Sequence, residues 1–282
     1  TPTRRQRQMC IRDSYIAVPA LIIKLIAQNE IGQVDFKQIF SYLIMQSICG
    51  IIAYLITSKY FKRSIPESII WALTVALSNH VTLLLPITEI YFQQNVITQV
   101  ASIILMDGII LLSVIAFFLE LSTKKNVNLF NFIKNLFLNP FILSIIIGLL
   151  FLLLNFNIDQ TPIEYTLSKL AACVSPVGLF AIGIILSFYT KNVINKLSVS
   201  ISVLKLVISP IILLSIGLVI FNAGLPAEIP GAFFVSVAPC GVTSIVLCAA
   251  YNVSPENIIK AIFVSTIASI GTIFFAIKYL TL

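Results

Sequence analysis

Residues 230–251 read PGAFFVSVAPCGVTSIVLCAAY, an apolar run that Pro239 and Gly241 interrupt at its centre. A proline inside a helix removes a backbone donor and clashes with the preceding turn, and a glycine relaxes the backbone. The run is therefore predicted to form two half-helices. A second run, residues 69–90, has the same character, with the polar sequence Ser78-Asn79-His80 near its centre.

The composition around these two runs is that of a protein solvated by lipid. Of the 282 residues, 59% are hydrophobic and 10% are charged, whereas soluble domains carry about 25% charge. A membrane-spanning helix needs about 20 mostly apolar residues. Nine runs, called a to i, come close to this length: 15–27, 39–57, 69–90, 100–121, 136–156, 167–189, 201–221, 230–251 and 258–280. We therefore predict an all-α polytopic membrane protein with nine helices present.

The basic residues predict the orientation of these helices. The formal net charge is +7, but the basic residues form no stripe with interleaved aromatics, so nucleic acid is not an expected partner. They gather in alternate loops: Lys59, Lys62 and Arg63; Lys124, Lys125 and Lys134; Lys191 and Lys196; and Lys260. The positive-inside rule places the b–c, d–e, f–g and h–i loops in the cytoplasm and the C-terminus outside.

Residues 1–14 differ from the rest of the chain. They read TPTRRQRQMCIRDS, which looks like translated sequencing adapter, and they contain no apolar core of a signal peptide. We expect this segment to be non-native; the alternative is a genuine basic tail. Residues 15–282 are then one transmembrane domain.

A weak internal repeat runs through that domain. Val18-Pro19-Ala20-Leu21 in run a corresponds to residues 175–179, SPVGL, in run f, and residues 79–82, NHVT, correspond to residues 240–243, CGVT. Both offsets are near 160 residues. Because the loop charges orient runs a and f oppositely, the repeats are predicted to be inverted, as in many secondary transporters. Residues 15–121 form the first repeat, residues 136–282 the second, and a five-plus-five arrangement leaves the first helix missing.

Two interrupted helices at matching positions of two repeats indicate a transport site. The N-terminus of a half-helix carries partial positive charge and free N–H groups, which suit an anion, and Asn79, Thr243 and Ser244 would add neutral hydrogen bonds. The candidate substrate-binding residues are Asn79, His80, Thr82, Pro86, Pro239, Cys240, Gly241, Thr243 and Ser244. The alternative is a pair of ordinary proline kinks.

Three ionisable residues within the apolar runs are candidate functional groups. His80, the single histidine, could bind an anion or relay a proton, or it could be a packed neutral ring. Asp107 lies near the middle of run d, where a carboxylate is costly; it is a candidate proton-coupling group or a structural hydrogen-bond partner. Lys205, early in run g, is a candidate counter-charge, although snorkelling of its stem toward the interface is favoured slightly.

Catalytic and metal-binding motifs are absent from the sequence. It contains no HExxH, GxSxG or P-loop pattern, so neither an enzyme nor a cofactor is expected. The five cysteines, Cys10, Cys49, Cys173, Cys240 and Cys248, have no CxxC spacing. They are predicted to be small buried residues that form neither disulfides nor metal sites.

The second half carries motifs that resemble those of a known family. They are residues 139–142, NPFI; 175–183, SPVGLFAIG; 204–210, LKLVISP; 238–244, APCGVTS; and 250–256, AYNVSPE. Their order and spacing resemble the auxin efflux carrier family, which includes plant auxin exporters and bacterial malate and malonate permeases. The resemblance implies ten helices in two inverted halves, crossed proline-broken helices and transport of small carboxylates. It matches Asn79, Pro86 and residues 239–244 to the crossover motifs, but His80 stands where many members look glycine-rich.

The expected function is secondary active transport of small organic anions such as malate, malonate or auxin-like acids, driven by protons or by the membrane potential. The alternatives are a sodium-coupled symporter or ion exchanger of similar fold, or a non-transporting membrane receptor. The expected partners are the anion and the lipid bilayer, with a homodimer left open. The expected location is the plasma or inner membrane.

Overall fold

The regular structure of the chain is helical, as predicted. The computed structural model describes residues 16–28, 35–123, 129–154, 156–187, 193–222 and 225–281. Within these ranges it contains helices and one isolated antiparallel bridge, but no strand. Residues 1–14, with Cys10, lie outside the described ranges, so their non-native origin stays a prediction.

The first half begins its helices at local capping signals. Asp35 accepts a bond from the Lys37 N–H, and Ser64 accepts one from the Glu67 N–H. The helices are α1 (Val18–Ala27), α2 (Phe36–Leu55), α3 (Ile65–Ala76), α4 (Leu85–Tyr91), α5 (Gln94–Met106) and α6 (Leu112–Thr123). Three π-helical turns accompany them: Ile56–Tyr60 extends α2, His80–Leu84 precedes α4, and Asp107–Leu111 joins α5 to α6.

Capping residues also begin several helices of the second half. Asn139, Thr161 and Asn195 each cap the helix that follows. The helices are α7 (Leu129–Phe137), α8 (Pro140–Leu153), α9 (Pro162–Ala172), α10 (Val174–Ser187), α11 (Lys196–Val203), α12 (Ser209–Phe221), α13 (Pro230–Ser236), α14 (Thr243–Ala250) and α15 (Glu256–Thr281). The π-helical turn Leu204–Ile208 joins α11 to α12.

The helix lengths confirm a polytopic membrane protein. Five stretches are long and apolar enough to span a bilayer: Phe36–Tyr60, Gln94–Thr123, Pro162–Ile185, Lys196–Phe221 and Glu256–Thr281. Runs a and e contain shorter apolar helices, Val18–Ala27 and Pro140–Leu153. Runs c and h are each divided into two half-helices, so both predicted interruptions are confirmed.

The helices pack around one large apolar cluster and one small one. The large cluster contains Tyr42, Trp71 and Phe234, and it unites α2, α3, α5 and the helices from α11 onward. In the small cluster, Ile22 and Ile26 of α1 pack against Ile145 of α8. Helix α1 therefore packs against α8, and its residues Leu21 and Leu25 also belong to the large cluster that holds both broken helices.

Helices α9 and α10 face outward over much of their length. Helix α9 has no buried residue, and the following residue, Cys173, is exposed. The prediction that Cys173 is buried is wrong, because an apolar side chain in lipid needs no protein contact to leave water. Cys49, Cys240 and Cys248 are buried, and all four described cysteines are free thiols.

Candidate functional site

Runs c and h cross at the points where both are interrupted. Ser78 and Cys240 form an antiparallel bridge, the Asn79 N–H donates to Pro239 O at 2.9 Å, and the Gly241 N–H donates to Leu77 O at 2.8 Å. An interrupted helix frees backbone groups that lipid cannot bond. These contacts pair them across the two segments. We call residues 77–80 and 237–242 together the crossing.

Gly241 makes this close approach feasible. A Cβ at this position would lie 2.8 Å from Leu77 O and 2.9 Å from Leu77 Cβ. Neither atom is the movable end of a flexible side chain. The sequence singled out Gly241 for its backbone freedom, but the structure uses its lack of a side chain.

Ser78 is the polar hub of the crossing. Its hydroxyl donates to Val235 O at 2.9 Å, accepts from Lys205 Nζ at 2.7 Å, and lies 3.1 Å from Tyr42 OH. A serine hydroxyl has one proton and two lone pairs. Because the proton is given to Val235, the Tyr42 hydroxyl must donate to Ser78. The three contacts then use the full capacity of this hydroxyl.

Lys205 lies inside the bundle, and the snorkelling interpretation is wrong. Its side chain is 0% exposed and comes from the π-helical turn that interrupts the span Lys196–Phe221. The ion pairs among the described residues do not include it. The stem cannot reach an interface because the ammonium bonds to Ser78 at the crossing. A buried cation therefore lies against the interruption of run c.

Several predicted binding groups are engaged within the crossing. The Thr82 hydroxyl donates to Asn79 Oδ1, and the Ser244 hydroxyl donates to Gly241 O at 2.8 Å. The Cys240 N–H donates to Ser265 Oγ at 3.2 Å. In this conformation the two hydroxyls stabilise the interruptions rather than point to an open site.

Thr243 and Pro86 lie at helix starts. Thr243 is half-buried at the beginning of α14. Pro86 is half-buried in the first turn of α4, several residues beyond the interruption of run c. A proline is tolerated in the first turn because that N–H has no helical partner. The geometry therefore puts Pro86 outside the crossing, whereas Pro239 is part of it.

His80 and Asp107 form a buried pair. His80 Nε2 lies 2.9 Å from Asp107 Oδ2, and the two side chains are 5% and 1% exposed. Each residue begins a π-helical turn, one before α4 and one between α5 and α6. The second polar atom of each side chain, His80 Nδ1 and Asp107 Oδ1, is buried with no hydrogen-bond partner. The sequence named both residues but could not show that they touch.

Two glutamines hold the start of α13, and the sequence analysis missed them. Gln99 Oε1 accepts from the Gly231 N–H and Gln38 Oε1 accepts from the Ala232 N–H, each at 3.1 Å. Gln38 is 1% exposed in α2. The available signal was an amide directly before each of two apolar runs, b and d, since an amide drawn into a bundle needs hydrogen-bond partners.

The crossing is closed in this conformation. Asn79 is 3% exposed, and Cys240, Ser244 and Lys205 are 0% exposed. A cavity of about 620 Å³ lies beside it, between α2, α3 and α6, and Gln46, Gly50 and Ala76 are among its lining residues. None of the predicted site residues lines this cavity.

Comparison with known families identifies the chain. A family model described as "Membrane transport protein" matches residues 13–277. The chain belongs to this family. It is the family of the auxin efflux carriers, so the resemblance drawn from the motifs is confirmed. A comparison with curated proteins gives no match.

Membership of the membrane transport protein family agrees with the apolar helices, and it makes the chain a multi-pass transport protein. The match spans both interrupted helices and the buried residues His80, Asp107 and Lys205. The family has plant and bacterial branches, and the match does not select one of them. Substrate and driving force therefore belong to the following proposal.

Proposed function

We propose that this chain is a secondary active transporter of small organic anions, that it works in the plasma or inner membrane, and that it binds the anion at the crossing. The buried ammonium of Lys205 supports this proposal most directly. A charge inside the membrane is costly and generally marks a substrate or ion pathway. Lys205 has no carboxylate partner among the described residues and contacts the interruption of run c. A substrate carboxylate would give the ammonium the direct ion-pair partner that it lacks among the described residues.

The hydrogen-bond geometry of the crossing suits a carboxylate. An ammonium has three donors, and one of the Lys205 donors is bonded to Ser78. Tyr42 donates a hydroxyl to the same Ser78 oxygen. An anion that approached Lys205 would meet the N-terminal ends of two helical segments, the π-helical turn at His80 and helix α14, and both present partial positive charge.

The closed crossing fits a carrier that works by alternating access. The candidate groups are inaccessible in this conformation, so an anion can enter only when the bundle opens. Alternating access in inverted-repeat carriers is largely rigid-body movement of one bundle against another around a fixed site.

Uptake into proteoliposomes tests the proposal. Purified protein is reconstituted, and uptake and counterflow of labelled malate, malonate and indole-3-acetate are measured in wild type, Lys205→Met and Lys37→Met. Lys37 is an exposed lysine at the start of α2 and serves as the matched control. We expect saturable uptake of at least one acid that falls at least tenfold in Lys205→Met and persists in Lys37→Met.

Two other outcomes would redirect the assignment. Uptake that requires sodium at constant proton gradient would favour the sodium-coupled alternative. Saturable binding without uptake or counterflow would favour the receptor alternative. Uptake that is unchanged in Lys205→Met would reject the crossing as the anion site.

A further inference from the structure

We infer that His80 and Asp107 together form a proton-binding site that takes up one proton for each anion carried. This inference rests on the proposed function and names the coupling site. It is carried by the contact between the two side chains, by their burial and by the two polar atoms left without partners.

His80 and Asp107 are in direct contact. His80 Nε2 and Asp107 Oδ2 are 2.9 Å apart, and both side chains are at least nine-tenths buried. A proton bound by either side chain therefore changes the hydrogen bond that joins them. Among the described residues, Tyr42 and Lys205 are the other ionisable groups that interact with Asp107.

The unpartnered atoms show where a proton would bind. When Asp107 is ionised and His80 is neutral, His80 donates its Nε2 proton to Oδ2, and the lone pair on Nδ1 is left unused. Asp107 Oδ1 is unused as well. A proton therefore has two acceptor atoms, and its binding breaks no existing hydrogen bond. A purely structural histidine–aspartate pair would normally have these atoms satisfied.

The charge balance of the core links this proton to the anion. With Asp107 ionised and His80 neutral, the pair carries one net negative charge, which balances the Lys205 ammonium. A carboxylate anion bound at Lys205, malonate included, would add at least one negative charge to the membrane interior. An unbalanced buried charge costs several kcal/mol or more. Protonation of the pair removes one negative charge, so proton and anion are expected to bind together.

Nitrogen NMR tests the proton site without reference to any substrate. His80 is the only histidine of the chain, so protein labelled with ¹⁵N-histidine and freed of any histidine tag gives the signals of one imidazole. We expect the His80 Nδ1 signal to move from the unprotonated to the protonated position between pH 9 and pH 5, and Asp107→Asn to shift this transition. Protonation of Asp107 Oδ1 instead would shift the Nε2 signal through the hydrogen bond to Asp107. Signals of both ring nitrogens that stay constant over this range would overturn the inference.

Transport tests the coupling. Malonate uptake into proteoliposomes is measured with and without an inward proton gradient in wild type, His80→Gln, Asp107→Asn and, as a control, Glu89→Gln, which changes an exposed carboxylate at the end of α4. With the membrane potential clamped at zero, we expect the gradient to raise malonate accumulation about tenfold per pH unit in wild type and in the control. In both pair variants this stimulation is lost, and in Asp107→Asn malonate counterflow remains.

The two assays separate failure of the coupling from failure of the proposed function. If malonate counterflow is present but the proton gradient does not change malonate uptake, the proposed coupling is overturned and the anion carrier proposal stands. Loss of both uptake and counterflow for every acid tested would reject the carrier, and the His80 signal would still report whether the pair binds a proton.

Discussion

Ser78 connects three elements through one hydroxyl group. It bonds to Tyr42 of α2, to Lys205 between α11 and α12, and to Val235 of α13. Removing a buried acceptor leaves its donors unpaired at a cost of about 1–3 kcal/mol each, and more for a charged donor. Loss of this one hydroxyl should therefore destabilise the crossing substantially, because it would leave two donors unpaired.

A double-mutant cycle measures that dependence. We expect Ser78→Ala to destabilise the protein because it strands the Lys205 ammonium in an apolar environment. Lys205→Met removes that charge, so the double variant should lose less stability than the sum of the two single variants. Thermal unfolding in detergent provides the measurement. Additive losses would mean that the contact contributes little.

The sequence predicted which residues are polar within the membrane, but not which ones meet. Ser78 and Lys205 are 127 positions apart, and no local pattern places them 2.7 Å from each other. His80 and Asp107 were both named as candidates, and only the packing of α4 against α5 joins them. Lys205 was misjudged because its flexible stem is compatible with either burial or snorkelling.

At the level of helices, the close approach of the two interruptions depends on Gly241. A Cβ there would press on the Leu77 backbone, and such overpacking typically costs about 1–3 kcal/mol. Gly241→Ala should therefore lower the melting temperature and reduce transport. Gly183→Ala is the matched control, because a Cβ at Gly183 meets nothing within 4 Å. Equal effects of the two substitutions would contradict the proposed role of Gly241.

The π-helical turn at Asp107 is packed against α8 through Gly108. A Cβ on Gly108 would overlap the ring of Phe141. We expect Gly108→Ala to lower both stability and transport, and Phe141→Ala to restore part of each when the two are combined, because it removes the overlapping ring. Melting temperature and uptake are compared across the two single variants and the double variant. Absence of rescue would mean that this contact does not limit the site.

The interrupted helices were predictable because their cause is local. Pro239 and Gly241 disrupt run h wherever it lies, and Ser78-Asn79-His80 marks the interruption of run c. Pro86 lies in the first turn of α4, where a proline is well tolerated, and its role in substrate binding stays a prediction. The π-helical turns carry no sequence signal that we recognised.

For the molecule as a whole, the loop charges predict an orientation that labelling can test. Residue 254 lies in the h–i loop, predicted to be cytoplasmic, and residue 89 lies at the outer end of α4. In a cysteine-free background, Glu89→Cys should react with an impermeant maleimide applied to intact cells, and Ser254→Cys should react only after permeabilisation. The reverse result would invert the assigned topology.

The architecture of the whole molecule was predictable from composition and spacing. A segment in lipid must pair its own backbone N–H and C=O groups, which a helix does. The offset of about 160 residues between similar motifs matched the two interrupted runs to each other. The exposure of α9 was not predictable, because a helix surface that faces lipid and one that faces protein are both apolar in sequence.

Alkylation of Cys240 tests the central claim most directly, because its buried thiol lies in the crossing itself. The protein keeps Cys240 as its single cysteine, and the rate of its reaction with N-ethylmaleimide is measured with and without a transported anion. If the anion binds at the crossing, saturating anion should slow the reaction at least severalfold, with half-maximal protection at the concentration that half-saturates uptake. A rate that no transported anion changes would contradict an anion site at the crossing.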